Sequence, residues 1–544
     1  MKSEKSPHPE SPAADEAHAE TILDGIISLD RDSQLQRGLK SRHIQFLALG
    51  GAIGTGLFVG AGNILAKVGP VPLWLGYLSM MAVVWVIMNN VAEMTTYLPL
   101  KGITLPYFTN RYVDNSLAFA SGWNYWYAYA ILVAAEASAG AILLDYWETP
   151  VPSAVWITII LLVCLFLNII AVEVFGEAEF WFASIKLITI LGLIIVGIVI
   201  MAGGAPAGDA IGFRYWNTPD RGGFKEYLTS GSAGRFLAYW TAFARAGFSF
   251  ITSPELIGTA AGETVAPRRN IPKAARRFLY RLAIFYGVSS LLIGCLVSSD
   301  NERLVTGDSN ASASPWVIGI QEAGIKGLNH VINAAILTSA WSAGNAFVYS
   351  GSRILYSLAC TNQAPAIFTR TTKRGVPYAA VLATWALGLL AYLNINENSA
   401  RVFEWFMNIS TISGYIAWII VMITYLRFRK ALEFNGLLNT LPFKTVGQPY
   451  VTWITLVVVT ILTITNGFHV FVPFNYKDFL AAYVTIPVFF ALYFGHKLWF
   501  RTPFLKPLNQ IDVLTGKKEM DELEEADVPP VASNWIQKFW YWLA

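Results

Sequence analysis

The chain has 544 residues, of which 54% are hydrophobic and only 14% charged, whereas soluble domains carry about 25% charged residues. A formal charge of +3 without a basic stripe argues against a nucleic-acid partner, and 14% aromatic content with 19 Trp suits the interfacial belts of a bilayer protein. Cys164, Cys295 and Cys360 lie far apart in apolar runs with no metal or disulfide spacing, six histidines are scattered, and no nucleotide loop or catalytic triad is legible, so no enzyme, metal or cofactor is expected.

In chain order, residues 1–40 are polar, with Pro7, Pro9 and Pro12 among charges. They lack the apolar core of a secretory leader and read as a disordered cytosolic tail. Lys2 and Lys5 are open to modification there, and both tails are where trafficking or ubiquitination machinery would act. Residues 41–500 form the membrane domain. About twelve apolar stretches of spanning length fall near 45–67, 71–98, 117–146, 154–174, 180–202, 236–261, 279–299, 331–359, 378–395, 402–425, 450–465 and 479–498. Asn466 and Gly467 interrupt the eleventh. Arg37, Lys40 and Arg42, the run from Arg268 to Arg281, the group Arg353, Arg370, Lys373 and Arg374, and Arg427, Arg429 and Lys430 all fall on one side if the spans alternate. By the positive-inside rule that side is cytosolic, both termini are cytosolic, and residues 203–234 are external. Residues 501–544 form a polar cytosolic tail with an acidic cluster from Glu519 to Glu525 and an aromatic end, Trp535 to Leu543, suited to a membrane surface or to the protein's own face.

The first span holds Gly50, Gly51, Gly54, Gly56, Gly60 and Gly62. Glycine is disfavoured in a helix interior by about 1 kcal/mol relative to alanine, so Gly54-Thr-Gly56 is where this helix breaks most readily. The alternative is a small-residue packing face. A helix that restarts at membrane depth presents free N–H groups and a positive dipole end, which suit a carboxylate. The sixth span carries Pro254 after Ser249, Thr252 and Ser253; proline removes a helix hydrogen bond and the hydroxyls can re-satisfy the freed groups. Breaks in spans one and six, five spans apart, are what inverted five-helix repeats would give, with a binding site at their interface near the midplane. The fold class is therefore all-α and polytopic, with repeats over 45–203 and 233–428 and extra helices over 450–498.

At these residues the chain resembles a family. Gly50-Gly-Ala-Ile-Gly-Thr-Gly56, Phe248-Ser-Phe250 followed by Pro254-Glu-Leu-Ile-Gly-Thr-Ala-Ala-Gly-Glu263, Pro267-Arg-Arg-Asn-Ile-Pro-Lys-Ala274, Thr338-Ser-Ala-Trp-Ser-Ala-Gly-Asn345 and Gly375-Val-Pro377 are similar to fungal amino-acid permeases of the amino acid–polyamine–organocation superfamily. The resemblance covers about residues 39–500, is nearest to proline permeases, and implies a LeuT-like fold with a ten-helix inverted-repeat core plus two helices. It also implies proton-coupled symport of L-amino acids across the plasma membrane.

Ionisable residues inside spans are functional candidates because they are costly there. Glu136, deep in span three, either carries the coupling proton, lines the substrate pocket or makes a structural hydrogen bond; the resemblance places an acidic residue near the substrate here. Lys186 in span five either snorkels to the interface or, as the resemblance implies, stands in for a sodium ion between helices one, five and eight. Arg245 sits one turn before Phe248 on the same face. It keeps its charge, so it binds the second carboxylate of an acidic amino acid, pairs with Glu136, gates the pocket from outside, or makes only a structural ion pair. Phe248 and Trp341 are candidate aromatic walls. The candidate substrate site is thus Ala52, Ile53, Gly54, Thr55 and Gly56 with Glu136, Arg245, Phe248, Ser249, Phe250, Thr252 and Trp341, the free N–H groups taking the carboxylate and carbonyls near Ala52, Phe248 and Phe250 the α-ammonium.

These residues favour alternating-access uptake of proline or another small neutral amino acid. An acidic or broad-range permease is the alternative within the class. A sensor that signals through its tails with little flux is the alternative from another class.

Overall fold

The computed structural model describes residues 54–99, 104–147, 150–170, 172–218, 222–251, 254–255, 267–305, 314–395, 399–518, 521–522 and 534. Ala52, Ile53, Thr252, Lys2, Lys5 and the aromatic C-terminal end lie outside them. Among the described residues the regular structure is helical apart from one isolated β-bridge, Phe471 with Phe474, as expected of an all-α chain. Within the described residues the first span begins at Gly54 and turns helical at Thr55, with a π-helical turn, Gly56–Gly60, leading into α1, Ala61–Val68. Gly69, at φ +87°, turns the chain into α2, Pro70–Tyr97, with proline at the first helical position where no N–H is needed. A short α3, Leu105–Tyr112, precedes α4, Asn115–Asp145, whose first turn is capped by the Asp114 carboxylate accepting from the Leu117 N–H at 2.7 Å. Then come α5, Ser153–Ile170, and α6, Val172–Met201. An irregular stretch follows, anchored by the Lys225 ammonium donating to the Ala66 and Ser299 carbonyls.

The sixth span is α7, Gly231–Ala246, ending in a 3₁₀ turn, Gly247–Ser249. The next crossing runs from α8, Pro267–Leu282, through a π-helical segment into α9, Ser289–Leu296. After two short helices, Glu302–Val305 and Pro315–Glu322, come α10, Leu328–Cys360, and α11, Tyr378–Gly388. The remaining helices are α12, Ser399–Phe434; α13, Tyr450–Thr465; α14, Tyr476–Tyr483; and α15, Thr485–Phe500.

Among the described residues nine helices are long and apolar enough to cross a membrane, and α14 with α15, bent by 45°, makes a tenth. Of the expected twelve stretches, ten match these crossings; the first is described only from Gly54 onward, and in the sixth α7 stops at Ala246. The eleventh ends where expected: Asn466 closes α13 and a 3₁₀ turn follows.

The centre of the bundle is α4. Its run of small residues, from Ala128 through Ala130, Ala134, Ala135 and Ala137 to Ala141, is buried and lets α10 and α12 approach closely along its length. Polar pairs fix the register. Asn124 and Ser413 exchange hydrogen bonds between α4 and α12, both at 2.9 Å, and Asn333 of α10 donates to the Leu143 carbonyl at 2.8 Å. By contrast α5 and α6 expose Ile159, Leu162, Phe166, Trp181, Ile188 and Ile195. Such a band of large apolar side chains is what a helix turned toward lipid presents.

Beyond α15 the chain runs back across one end of the bundle as an ordered strap. The Arg111 guanidinium donates to the Asp512 and Thr515 carbonyls, the Tyr97 hydroxyl donates to the Val513 carbonyl, and Ile511 and Val513 are buried. Arg268, at the start of α8, pairs with Asp521 at 2.6 Å while also donating to the Thr96 and Tyr97 carbonyls at the end of α2. Burial alone would push the Asp512 carboxyl up, but Arg111 and the Thr515 and Leu514 amides outweigh it and hold its pKa below the usual range.

Candidate functional site

The helix start at Thr55 meets the end of α7. Gly54 is a bend, helix begins at Thr55, and the Leu57 N–H reaches back to the Gly54 carbonyl at 3.3 Å. Opposite, α7 stops at Ala246 and the Phe250 and Ile251 N–H groups both turn back to the Gly247 carbonyl. A Cβ at Gly56 would stand 2.7 Å from Ser249 Oγ, 2.9 Å from Ser249 Cα and 3.1 Å from the Phe248 ring. Glycine is therefore required here by close approach of the two breaks. The Tyr77 hydroxyl pairs with Ser249 Oγ at 3.0 Å, and the Tyr286 hydroxyl donates to the Ser249 carbonyl at 2.9 Å. Phe250 packs against both rings, 4.4 Å from Tyr286 and 5.9 Å from Tyr77, which stack on each other. The phenols supply the hydrogen bonds that a broken helix leaves open, as backbone at membrane depth requires. Ser314 serves the π-turn in the same way, donating to the Phe58 carbonyl at 2.8 Å.

Against the first break lies Glu136 of α4. The Thr55 hydroxyl donates to Glu136 Oε1 at 3.0 Å, and Oε2 has no hydrogen-bond partner among the described residues. Gly54 and Gly344 leave it room, since a Cβ at either would sit 3.8 Å from Oε1 or 3.5 Å from the Glu136 Cβ. Lys186 is 1% exposed, so it does not snorkel, and it lies within electrostatic reach of Glu136 and Glu179. Glu179 of α6, 2% exposed, accepts from the Ser342 hydroxyl of α10 at 2.8 and 3.0 Å. Trp341, beside Ser342, is half-buried; its carbonyl faces the Cys164 thiol at 4.0 Å, and its indole N–H has no partner among the described residues.

One turn before the second break, Arg245 pairs with Glu404 of α12 at 2.6 Å rather than with Glu136. It also donates to the Asn63 side chain at 3.4 Å and to His469 Nε2 at 3.1 Å; arginine only donates, so that ring nitrogen accepts. Lys67 binds the same Glu404 oxygen at 2.9 Å. One residue along from Glu404, Phe403 meets Phe248 edge-on, centroids 6.0 Å apart. An ionic layer, Arg245–Glu404–Lys67, thus overlies an aromatic layer, Phe248–Phe403, where α7 meets α12.

The structure therefore brings Gly54, Thr55, Gly56, Glu136, Phe248 and Ser249 together, with Lys186 behind Glu136 and Arg245 above Phe248. Sequence reasoning missed Glu404, Glu179, Tyr77 and Tyr286. It also missed Glu255, a buried carboxyl just beyond the second break whose Oε2 is unpartnered among the described residues.

Comparison with known proteins gives one consistent picture. Residues 43–509 match the family described as Amino acid permease. The chain is 52% identical over 521 residues to the proline-specific permease of Emericella nidulans, covering 95% of this chain and 94% of that one. It is 49% identical over 522 residues to the proline-specific permease of Saccharomyces cerevisiae, covering 92% and 83%. To the dicarboxylic amino acid permease of the same yeast it is 38% identical over 506 residues, covering 91% and 82%.

Proposed function

Because this chain belongs to the amino acid permease family, a family of membrane transporters and not of enzymes, we propose that it takes up L-proline with a proton by alternating access. Support for proline comes from the higher identity to proline-specific relatives than to the dicarboxylic one. Support for the mechanism comes from one observation above the rest: the helix start at Thr55–Gly56 touches the turn that ends α7 at Ser249, beside the buried Thr55–Glu136 hydrogen bond.

In this reading the N–H groups at the restart of the first span, around Gly54, Thr55 and Gly56, hold the substrate carboxylate. Carbonyls of the second break, at Phe248 and Phe250, accept the proline ammonium, which has fewer donors than a primary amine. The carboxylate contacts therefore carry more of the recognition. Ala52, Ile53 and Thr252 complete the site, and Trp341 walls the span-eight side. Phe248 against Phe403, and Arg245 with Lys67 on Glu404, close the site from outside; Arg245 gates rather than binds. Glu136 receives the coupling proton, and Lys186 takes the place of a bound cation behind it. The basic ends of α8, α10 and α12 face the cytosol by the positive-inside rule, with both termini on that side, the repeats and extra helices disposed as the sequence suggests, and the plasma membrane as the site of action. The tails are the contacts for trafficking or ubiquitination machinery.

The test is transport by the full chain in liposomes. Labelled proline should accumulate when the lumen is alkaline, a protonophore should abolish accumulation, and among twenty unlabelled amino acids proline should compete best. Uptake indifferent to the protonophore would remove the coupling; another best competitor would remove proline; no saturable flux for any amino acid would leave the sensor reading.

A further inference from the structure

Glu179 is a buried acid that the mechanism above leaves without a task. It lies on α6 seven residues before Lys186, two helical turns or about 10 Å along the axis, on the same face. Long side chains on a helix lean toward its N-terminus, so the Lys186 ammonium leans from its own Cα toward Glu179. Both are almost wholly enclosed, at 1% and 2% exposure. Lys186 is within electrostatic reach of two carboxyls, Glu136 on the substrate side and Glu179 on its own helix. The other groups facing Glu179 are the Ser342 hydroxyl of α10, which donates to both of its oxygens, and the Cys164 thiol of α5. From Glu179 the start of α6 at Val172 is again seven residues away, and in the orientation proposed above that end is cytosolic.

A charged lysine needs a counter-ion inside a membrane protein, and one carboxylate would meet that need. Two carboxyls flanking one amine along a line from the substrate site toward the cytosol allow more. We propose that Glu179 is the proton acceptor on the cytosolic side of Lys186, completing a relay Glu136 → Lys186 → Glu179; this rests on the proton-coupled reading above. The Lys186 ammonium hands its proton to the Glu179 carboxylate, which the Ser342 hydroxyl holds in the accepting form. The amine left behind takes up the proton that entered on the Glu136 carboxylate and is an ammonium again. Glu179 then gives its proton to cytosolic water and returns to carboxylate. One proton enters, one leaves, and each group ends as it began.

Net uptake needs this release; exchange of external for internal proline does not, because the same proton can return with the outgoing substrate. The full chain in liposomes separates the two. Glu179→Gln should lower gradient-driven proline accumulation at least tenfold while leaving proline exchange at equal pH within about twofold. Glu179→Asp should restore accumulation with a shifted dependence on lumenal pH. Gradient-driven accumulation by Glu179→Gln at the wild-type rate would overturn the relay and leave the coupling reading standing. Equal loss of accumulation and exchange, in protein that still binds proline, would overturn it too, because Glu179 would then only position Lys186. Should Glu179→Gln fail to fold, Glu179→Asp decides alone, and an unshifted pH dependence counts against the relay. If the wild type itself shows no gradient-driven accumulation, the coupling reading and the relay fall together.

Discussion

At Gly56 a single hydrogen atom separates two broken helices. An added methyl would meet Ser249 Oγ at 2.7 Å and Ser249 Cα at 2.9 Å; the hydroxyl can rotate away but the backbone cannot. Overpacking of this kind costs about 1–3 kcal/mol, so Gly56→Ala should lower proline uptake roughly tenfold with the protein still in the membrane. Wild-type kinetics in that variant would show that the breaks need not touch. Glu136→Gln keeps the Thr55 contact but cannot ionise, so uptake should lose its dependence on an inward proton gradient; an unchanged pH profile, measured with labelled proline, would free Glu136 of that role. Glu136 was legible in the sequence because a lone carboxyl in the middle of an apolar run has no bland explanation. Glu179 and Glu404 were not, since each sits where hydropathy begins to rise and reads as the polar end of a span. Only the packing of α6 against α10 and of α7 against α12 makes them interior. Tyr77 and Tyr286 were hidden for a different reason: a tyrosine in a membrane helix carries no signal of which orphaned backbone group it serves.

Between elements, α7 and α12 are joined by an ionic and an aromatic layer. Removing one partner of a buried pair leaves the other's charge uncompensated, a loss of about 3–5 kcal/mol for fully enclosed pairs, and less here because Glu404 is 24% exposed. A double-mutant cycle of Arg245→Ala and Glu404→Ala, read as the proline KM and the thermal midpoint in detergent, should be strongly non-additive. Additive effects would mean that the two residues act apart and would return Arg245 to the substrate as a direct ligand. The neighbourhood of the second break was legible from Pro254, although α7 stops eight residues earlier at Ala246, and the first span is described only from Gly54 onward. The partner of Arg245 was not, because pairing depends on which helix lies across the interface, and no spacing within α7 encodes that.

Across the whole molecule, ten of the twelve expected crossings could be read from hydropathy, whereas the ordered strap could not. Its sequence is polar, and only Ile511 and Val513 turn inward. Burying two such side chains is worth about 3–5 kcal/mol at most, so a chain ending at Pro507 should unfold at lower temperature, measured by thermal unfolding in detergent; an unchanged midpoint would mean that the strap lies loosely on the bundle. Since the Asp512 pKa is depressed in the folded protein, the stability it adds is present above the ordinary carboxylate range and is lost only as pH falls through the lowered value. Protection of the strap from proteases should therefore not change between about pH 6 and about pH 8. There is also a matter of timing. The strap follows the membrane helices seen among the described residues, so it leaves the ribosome after the last of them has been threaded into the bilayer. A product halted just short of it would carry all its helices and still leave bare the groove that Ile511 and Val513 fill, a mark by which quality-control proteases could tell an unfinished copy from a finished one.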